Sequence, residues 1–179
     1  MKKWIALLLT AALCLSLCAC GEETVEVTMP AVLFSDQTAE EICADAEERG
    51  IESCTVNEDG SVTYQMSESK HEEMKAEMET AVRKSCAALR EGDDAVASFK
   101  RMEISADLAA IDVYVDRAQY TVWDTFSSFV FYIGSAYYQL FAGVPQDEVD
   151  VVVQYIDDAT GEVLDTGSYR QFLDNAAAE

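Results

Sequence analysis

The sequence predicts a two-layer α+β domain in which a largely antiparallel sheet carries three helices on one face. Most apolar segments alternate polar and apolar residues, a period typical of antiparallel strands that bury one face. Other segments repeat apolar residues every three or four positions, as amphipathic helices do. Half of the 179 residues are hydrophobic, which is enough for a real core in a chain of this length. The predicted order of elements is β-α-β-β-α-β-β-α-β-β.

The chain begins with a leader that predicts export. Lys2 and Lys3 precede an apolar run over residues 4–17, which has the length of a signal-peptide core and is too short to span a bilayer. The following Leu17-Cys18-Ala19-Cys20 resembles the bacterial lipobox. That resemblance implies transfer of diacylglycerol to the sulfur of Cys20 and cleavage before it, with residues 1–19 as signal peptide. An ordinary secretory signal that happens to end in cysteine is the alternative.

Acidic residues dominate the charge of the chain. The net charge is −22, and it becomes −24 once residues 1–19 leave, because that segment contains two lysines and no acid. A field of this sign opposes nucleic acids and anionic lipids, so nucleic acid is excluded as a partner. Residues 20–23 form a short tether, so lipidated Cys20 would hold the domain, residues 24–170, close to the membrane.

The first half of the domain carries strong local signals. Residues 24–29 alternate as a strand that Pro30 ends, and Thr38 with Glu41 forms a capping box that opens a helix. That helix runs to about Arg49 and stops at Gly50. Residues 53–56 and 62–66 flank Asn-Glu-Asp-Gly, which indicates a hairpin.

The second half predicts two more helices and four more strands. The helices cover residues 68–90 and roughly 117–142, and the strands cover 99–105, 108–116, 149–156 and 162–166. Residues 171–179 are expected to be a frayed tail.

The third predicted helix is unusually apolar, with no charge in the 22 residues from 125 to 146. Its length would suit a membrane span, but its serines, glycines and acidic C-terminal flank favour a helix packed on the sheet. Its expected inward face comprises Val122, Phe126, Phe129, Val130, Ile133, Tyr137, Leu140 and Phe141. The aromatic residues left towards the flanks or outside are the candidate partner surface: Trp123, Phe131, Tyr132 and Tyr138.

Three cysteines remain in the domain beside the lipidated one. Cys43, Cys54 and Cys86 each fall on an apolar face, which favours small buried side chains. A Cys43–Cys54 disulfide is permitted on the oxidising side of a membrane. The spacing of about 10 Å between stacked layers argues against it, because bridged Cα atoms lie within about 7 Å.

Known catalytic and metal-binding patterns are missing from the sequence. The single histidine, His71, would lie about 22 Å from Cys86 along one helix, too far for a nucleophile pair or a shared zinc ion. A partnership of His71 with Cys43 or Cys54 stays open. The acidic segments 57–60 and 157–162 match turns better than calcium loops, because neither keeps the ligand order of a calcium site. The sequence therefore predicts no catalytic residue, no metal site and no cofactor.

Several motifs are similar to those of small, uncharacterised surface lipoproteins of Gram-positive bacteria. They are the lipobox, V-x-V-T-M-P at residues 25–30, N-E-D-G-S-V-T-Y-x-M at 57–66 and D-x-x-T-G-E-V at 157–163. The resemblance implies location and fold but no mechanism. Three hypotheses stay open: a non-enzymatic binding or accessory module, a cell-envelope hydrolase acting through carboxylates, and an extracytoplasmic subunit of a membrane complex.

Overall fold

The computed structural model describes residues 23–91 and 95–177 and has an α+β architecture. Within those ranges it contains two sheets and four α-helices. Cys20 and the leader lie outside the described residues. The elements in chain order are β1 (Thr24–Met29), a 3-10 helix (Ala31–Phe34), α1 (Ala39–Glu48), β2 (Ser53–Val56), β3 (Val62–Ser67), α2 (Glu68–Glu91), β4 (Phe99–Ile104), β5 (Ala110–Val115), a second 3-10 helix (Val122–Ser127), α3 (Ser128–Phe141), β6 (Val152–Asp157), β7 (Val163–Ser168) and α4 (Tyr169–Ala177).

The strands form two sheets rather than the single sheet that the sequence predicts. The first has the order β1-β3-β2 and is antiparallel, and the second has the order β4-β5-β6-β7. Only β5 and β6 pair in parallel among the described strands, so the prediction of mostly antiparallel pairing is confirmed. Parallel neighbours need a crossover connection, and the segment that contains α3 provides it.

Helices α2 and α3 join two hydrophobic cores. Met74 and Phe141 belong to the core of the first sheet, whereas Cys86 and Phe131 belong to that of the second. The two helices run antiparallel, because the rings of His71 and Phe141 lie 5.2 Å apart near one end while Phe131 and Cys86 share the core at the other.

Gly134 sits where these helices touch. A Cβ atom at Gly134 would lie 3.0 Å from Val82, so the missing side chain permits the close approach.

Local signals in the first half are confirmed by the structure. Thr38 accepts a hydrogen bond from the backbone of Glu41, whose carboxylate accepts one from the Thr38 backbone, which completes the capping box. Gly50 has a φ of +78° just after α1, a conformation that glycine adopts without steric cost. The predicted hairpin is β2–β3.

Two predictions about the second half are wrong. The expected helix over residues 117–142 is a turn, a 3-10 helix and then α3, which begins only at Ser128. The segment 171–179, expected to fray, is helical as far as Ala177 in α4. Phe172 of α4 packs on the second core beside Tyr132, and this contact was not visible in the local sequence.

Cys43 and Cys54 form a disulfide, against the sequence-based preference. Their Cα atoms are 5.4 Å apart. The 10 Å layer spacing applies to a helix that lies over the face of a sheet. Helix α1 instead packs against β2, the edge strand of the first sheet, which brings Cys43 within bridging distance.

Candidate ligand-binding cleft

A cleft of about 280 Å³ opens beside the second sheet. The 3-10 helix and α3 form one wall, β7 forms the floor, and α4 forms the other wall. Its lining combines phenylalanine rings, hydroxyl groups, amides and one carboxylate. The lining residues are Thr125, Phe126, Ser128, Phe129, Tyr132, Tyr155, Asp165, Thr166, Gly167, Ser168, Gln171, Phe172 and Asn175.

The side chain of Tyr132 reaches the backbone of β7 at Gly167. A Cβ atom built on Gly167 would lie only 2.5 Å from the Tyr132 hydroxyl oxygen. Glycine inside a strand often marks such a close approach. Gly167 therefore lets Tyr132 lie across the floor of the cleft.

Tyr155 anchors a hydroxyl network under the cleft. Its hydroxyl lies 2.8 Å from the Ser128 hydroxyl and 3.2 Å from that of Ser127, and it donates to the backbone carbonyl of Asp124 at 3.4 Å. Burial raises the pKa of Tyr155 and that of Tyr132. Both hydroxyls therefore stay neutral at pH 7 and can donate hydrogen bonds.

Tyr120 lies behind this network, with its ring centroid 5.4 Å from that of Tyr155. Its hydroxyl is buried without a hydrogen-bond partner among the described residues, although the carboxylate of Asp165 is close enough to act on it electrostatically. Burial, followed by the charge of Asp165, raises the pKa of Tyr120.

Three aspartates act electrostatically on these three tyrosines. Asp165 disfavours ionisation of each of them, Asp124 acts on Tyr120 and Tyr155, and Asp150 acts on Tyr132. Asp165 is the one charged residue of the described lining. The described lining of the cleft therefore carries one negative charge and no positive one.

Exposed apolar side chains continue from the rim of the cleft along the outside of α3. Trp123 is 72% exposed and stacks on Phe126 at a centroid distance of 5.5 Å. Phe129 meets Phe172 edge to face at 4.7 Å. We call this surface the apolar strip; it comprises Val122, Trp123, Phe126, Phe129, Val130 and Ile133.

Two of the four aromatic residues predicted to lie towards the flanks or outside are buried instead: Phe131 is fully buried and Tyr132 is 6% exposed. Trp123 is exposed as expected, and Tyr138 is half-buried against the second core. Five of the residues expected to face inward lie on the apolar strip instead. The exposed and buried faces of the segment are thus largely exchanged.

The buried face of α3 differs from the expected one because it contains small and polar residues. Its buried positions recur at three- and four-residue intervals, and they include Ser135, Ala136 and the hydrogen-bonded Gln139. Gln139 donates to the Asp150 carbonyl at 2.8 Å, so its burial is satisfied. A search for small and polar residues at helical spacing would have found this face, which comprises Ser128, Phe131, Tyr132, Ser135, Ala136 and Gln139.

A second, smaller cavity lies between α1 and the first sheet. It has a volume of about 160 Å³ and is lined by Tyr64, Tyr137, Asp45 and Arg49, among others. The Arg49 guanidinium lies 2.9 Å from the Asp45 carboxylate. The charges of this cavity are therefore paired.

The histidine, the free cysteine and the turn aspartates that could act in catalysis or metal binding are hydrogen-bonded or buried. The Nε2 of His71 lies 2.8 Å from the carbonyl oxygen of Phe141. Cys86 is 1% exposed, and burial raises the pKa of its thiol to about 11. Asp59 accepts from Ser61, and Asp157 accepts from Ala159 and Thr160, as turn residues do. In the described ranges, no cluster of acidic, histidine or cysteine residues could hold a metal ion.

The described helices include none with the length and apolarity needed to cross a bilayer. Helix α3, the most apolar of them, has 14 residues and thus spans about 21 Å.

Comparison of this chain with known proteins identified no relative. No protein-family model, curated protein or solved structure matches this chain. The cleft and the apolar strip are therefore interpreted from their own residues.

Proposed function

We propose that this protein is an extracytoplasmic lipoprotein, anchored through Cys20, that works as a non-enzymatic binding or accessory module. The observation that carries the proposal is the apolar strip beside the cleft. Six exposed apolar residues follow one another within twelve positions without an exposed charge between them. Contiguous apolar patches of this kind mark interaction sites on soluble domains.

The position of the strip supports a partner that approaches from outside the membrane. The backbone of Glu23 accepts a hydrogen bond from Glu68 at the start of α2, near the Phe141 end of α3. Phe129 lies twelve residues away along α3, about 18 Å. A domain tethered at Cys20 would thus hold the strip towards its far end.

The hydrolase hypothesis has less support than the binding module. Hydrolysis by paired carboxylates needs two acidic groups facing one cleft. The described lining of the cleft offers Asp165, which is exposed. Asp116, Asp157 and Asp158 line another depression, but each of them pairs with a lysine or an arginine. Asp157, the one buried acid in the described ranges, is also engaged in a turn.

Anchoring is tested by a single substitution. We expect Cys20→Ala to appear in the culture medium, because its sulfur is the only acceptor for the lipid at the lipobox. Cys18→Ala is the matched control, since it keeps Cys20, and it should stay in the membrane fraction. Retention of the Cys20→Ala variant in that fraction would show that the lipoprotein assignment is wrong.

Binding is tested by capture of the anchored protein after cross-linking. Recovery of one stoichiometric membrane protein would assign the chain to a membrane complex, whereas a soluble or envelope partner would favour an independent module. The double variant Trp123→Ala/Phe126→Ala should lose the partner. Val32→Ala/Leu33→Ala is the matched control, because it removes two exposed apolar side chains from the first 3-10 helix. Equal capture by both variants would contradict a role for the strip.

A further inference from the structure

The cleft has the dimensions and walls for one small organic group. Its volume of about 280 Å³ lies just below the range of ligand pockets, which begins at about 300 Å³. Phe126, Phe129 and Phe172 present aromatic rings to it, and the amides of Gln171 and Asn175 add polar groups. Aromatic rings attract cations through their quadrupoles.

The charge of the cleft distinguishes it from the second cavity. Asp45 of the second cavity pairs with Arg49. In contrast, Asp124, Asp150 and Asp165 make no ion pair within the described residues. An unpaired carboxylate next to aromatic rings is complementary to a cation that has an apolar stem.

We infer that the cleft binds an alkylammonium group, whose charge lies at the Asp165 carboxylate and whose methylene stem lies against the rings of Phe126 and Phe129. The inference rests on the proposed function, since it names the ligand class for the same end of the molecule. An alkylammonium group is charged at pH 7 and donates three hydrogen bonds. Its source is either a free amine or a lysine side chain of the partner that covers the apolar strip.

The test uses the full chain in detergent and three probes followed by calorimetry. The first probe is 1,5-diaminopentane, the second is 1,5-pentanediol as its uncharged match, and the third is a lysine-containing tripeptide with blocked termini. We expect saturable 1:1 binding of the diamine and none of the diol. Binding of the tripeptide at least as tight as that of the diamine assigns the site to a lysine side chain, and weaker binding assigns it to a free amine.

Matched variants separate the site from the general acidity of the chain. Asp165→Asn keeps the shape of the side chain and should weaken diamine binding roughly tenfold, the lower end of the range for a hydrogen bond to a charged group. Asp174→Asn makes the same charge change on α4 outside the cleft lining and should leave binding within about twofold. Phe129→Ala should weaken it roughly two- to fivefold.

Two results would overturn the inference: equal binding of diamine and diol, or equal effects of Asp165→Asn and Asp174→Asn. Neither result would count against the proposed function, which depends on partner capture through Trp123 and Phe126. Conversely, equal partner capture by Trp123→Ala/Phe126→Ala and by the control variant Val32→Ala/Leu33→Ala would count against the proposed function and leave the amine measurement intact.

Discussion

The two ends of the molecule each contain a cavity lined by tyrosines and acids, yet they differ in how their charges are balanced. At the first sheet, Asp45 is neutralised by Arg49, and the nearby disulfide between Cys43 and Cys54 ties α1 to β2. At the second sheet, Asp165 faces the cleft, and no cation among residues 23–91 and 95–177 pairs with it. The disulfide and the ion pair stabilise the first end, whereas the second end exposes a carboxylate and apolar side chains that a ligand could contact.

Helix α3 contributes residues to the cores at both ends of the molecule. Phe141 of α3 fills the first core and Phe131 fills the second, and both are almost completely buried. Between and beside them α3 exposes the apolar strip. Substitutions along this helix can therefore separate stability from binding.

The largest effect is expected at the two buried phenylalanines. Phe131→Ala and Phe141→Ala should each lower the free energy of unfolding by about 3–5 kcal/mol, because each leaves a cavity in a packed core. Urea denaturation monitored by circular dichroism measures the change. Diamine binding by the folded fraction should fall only for Phe131→Ala, because Phe131 shares the second core with Tyr132 and Tyr155, which line the cleft. A fall of equal size for Phe141→Ala would show that the two ends do not act separately.

Removal of the disulfide is expected to have the next largest effect. The double variant Cys43→Ala/Cys54→Ala should lose about 3 kcal/mol, because the bridge closes a loop of eleven residues' separation and restricts the unfolded chain. The wild-type chain in reductant should show a similar loss in denaturant titrations. Binding at the cleft should be unchanged, and weaker binding would mean that the first end supports the second.

A smaller effect is expected at the floor of the cleft. Gly167→Ala should lose about 1–3 kcal/mol, because the new Cβ overlaps the Tyr132 hydroxyl. The double variant Gly167→Ala/Tyr132→Phe removes that hydroxyl and should recover most of the loss in thermal unfolding. If Tyr132→Phe gives no recovery, the close approach is not what requires glycine at this position.

The smallest change in stability is expected on the apolar strip. Trp123→Ala should alter the free energy of unfolding by no more than about 0.5 kcal/mol, because the side chain is mostly exposed. Its melting temperature should match that of the wild-type chain while partner capture decreases. A destabilisation above about 1 kcal/mol would show that Trp123 packs as part of the core.

Elements with local signals were predictable from the sequence, and several residues show why. The capping box of Thr38 and Glu41 and the turn at Gly60 each depend on contacts within a few positions of the chain. The start of α2 at Glu68 and the alternation of β1 also agree with the structure. The C-terminal helix was missed because Phe172 is stabilised by packing on Tyr132, forty residues away.

The candidate site was predictable only in its general location. The uncharged segment 125–146 indicates an aromatic surface. The side of the helix with the most apolar residues was expected to be buried, but most of that side is exposed. The 3-10 helix Val122–Ser127 has about three residues per turn, fewer than an α-helix. Residues that follow it therefore face a different direction from the one that α-helical spacing predicts. Asp165 and Tyr155, which line the cleft, carry no signal that relates them to that segment.

The amino-acid sequence alone was sufficient for the acidic charge, the α+β class, most strands and the first helices, because charge, alternation and caps act over short distances. Tertiary structure decided the division into two sheets, the disulfide, the orientation of α3 and the cleft. Each of these depends on contacts between distant segments, such as the approach of Tyr132 to Gly167. Such contacts depend on which face of a helix is buried. That choice depends on how closely all the elements pack together, and residues near each other in the sequence do not determine it.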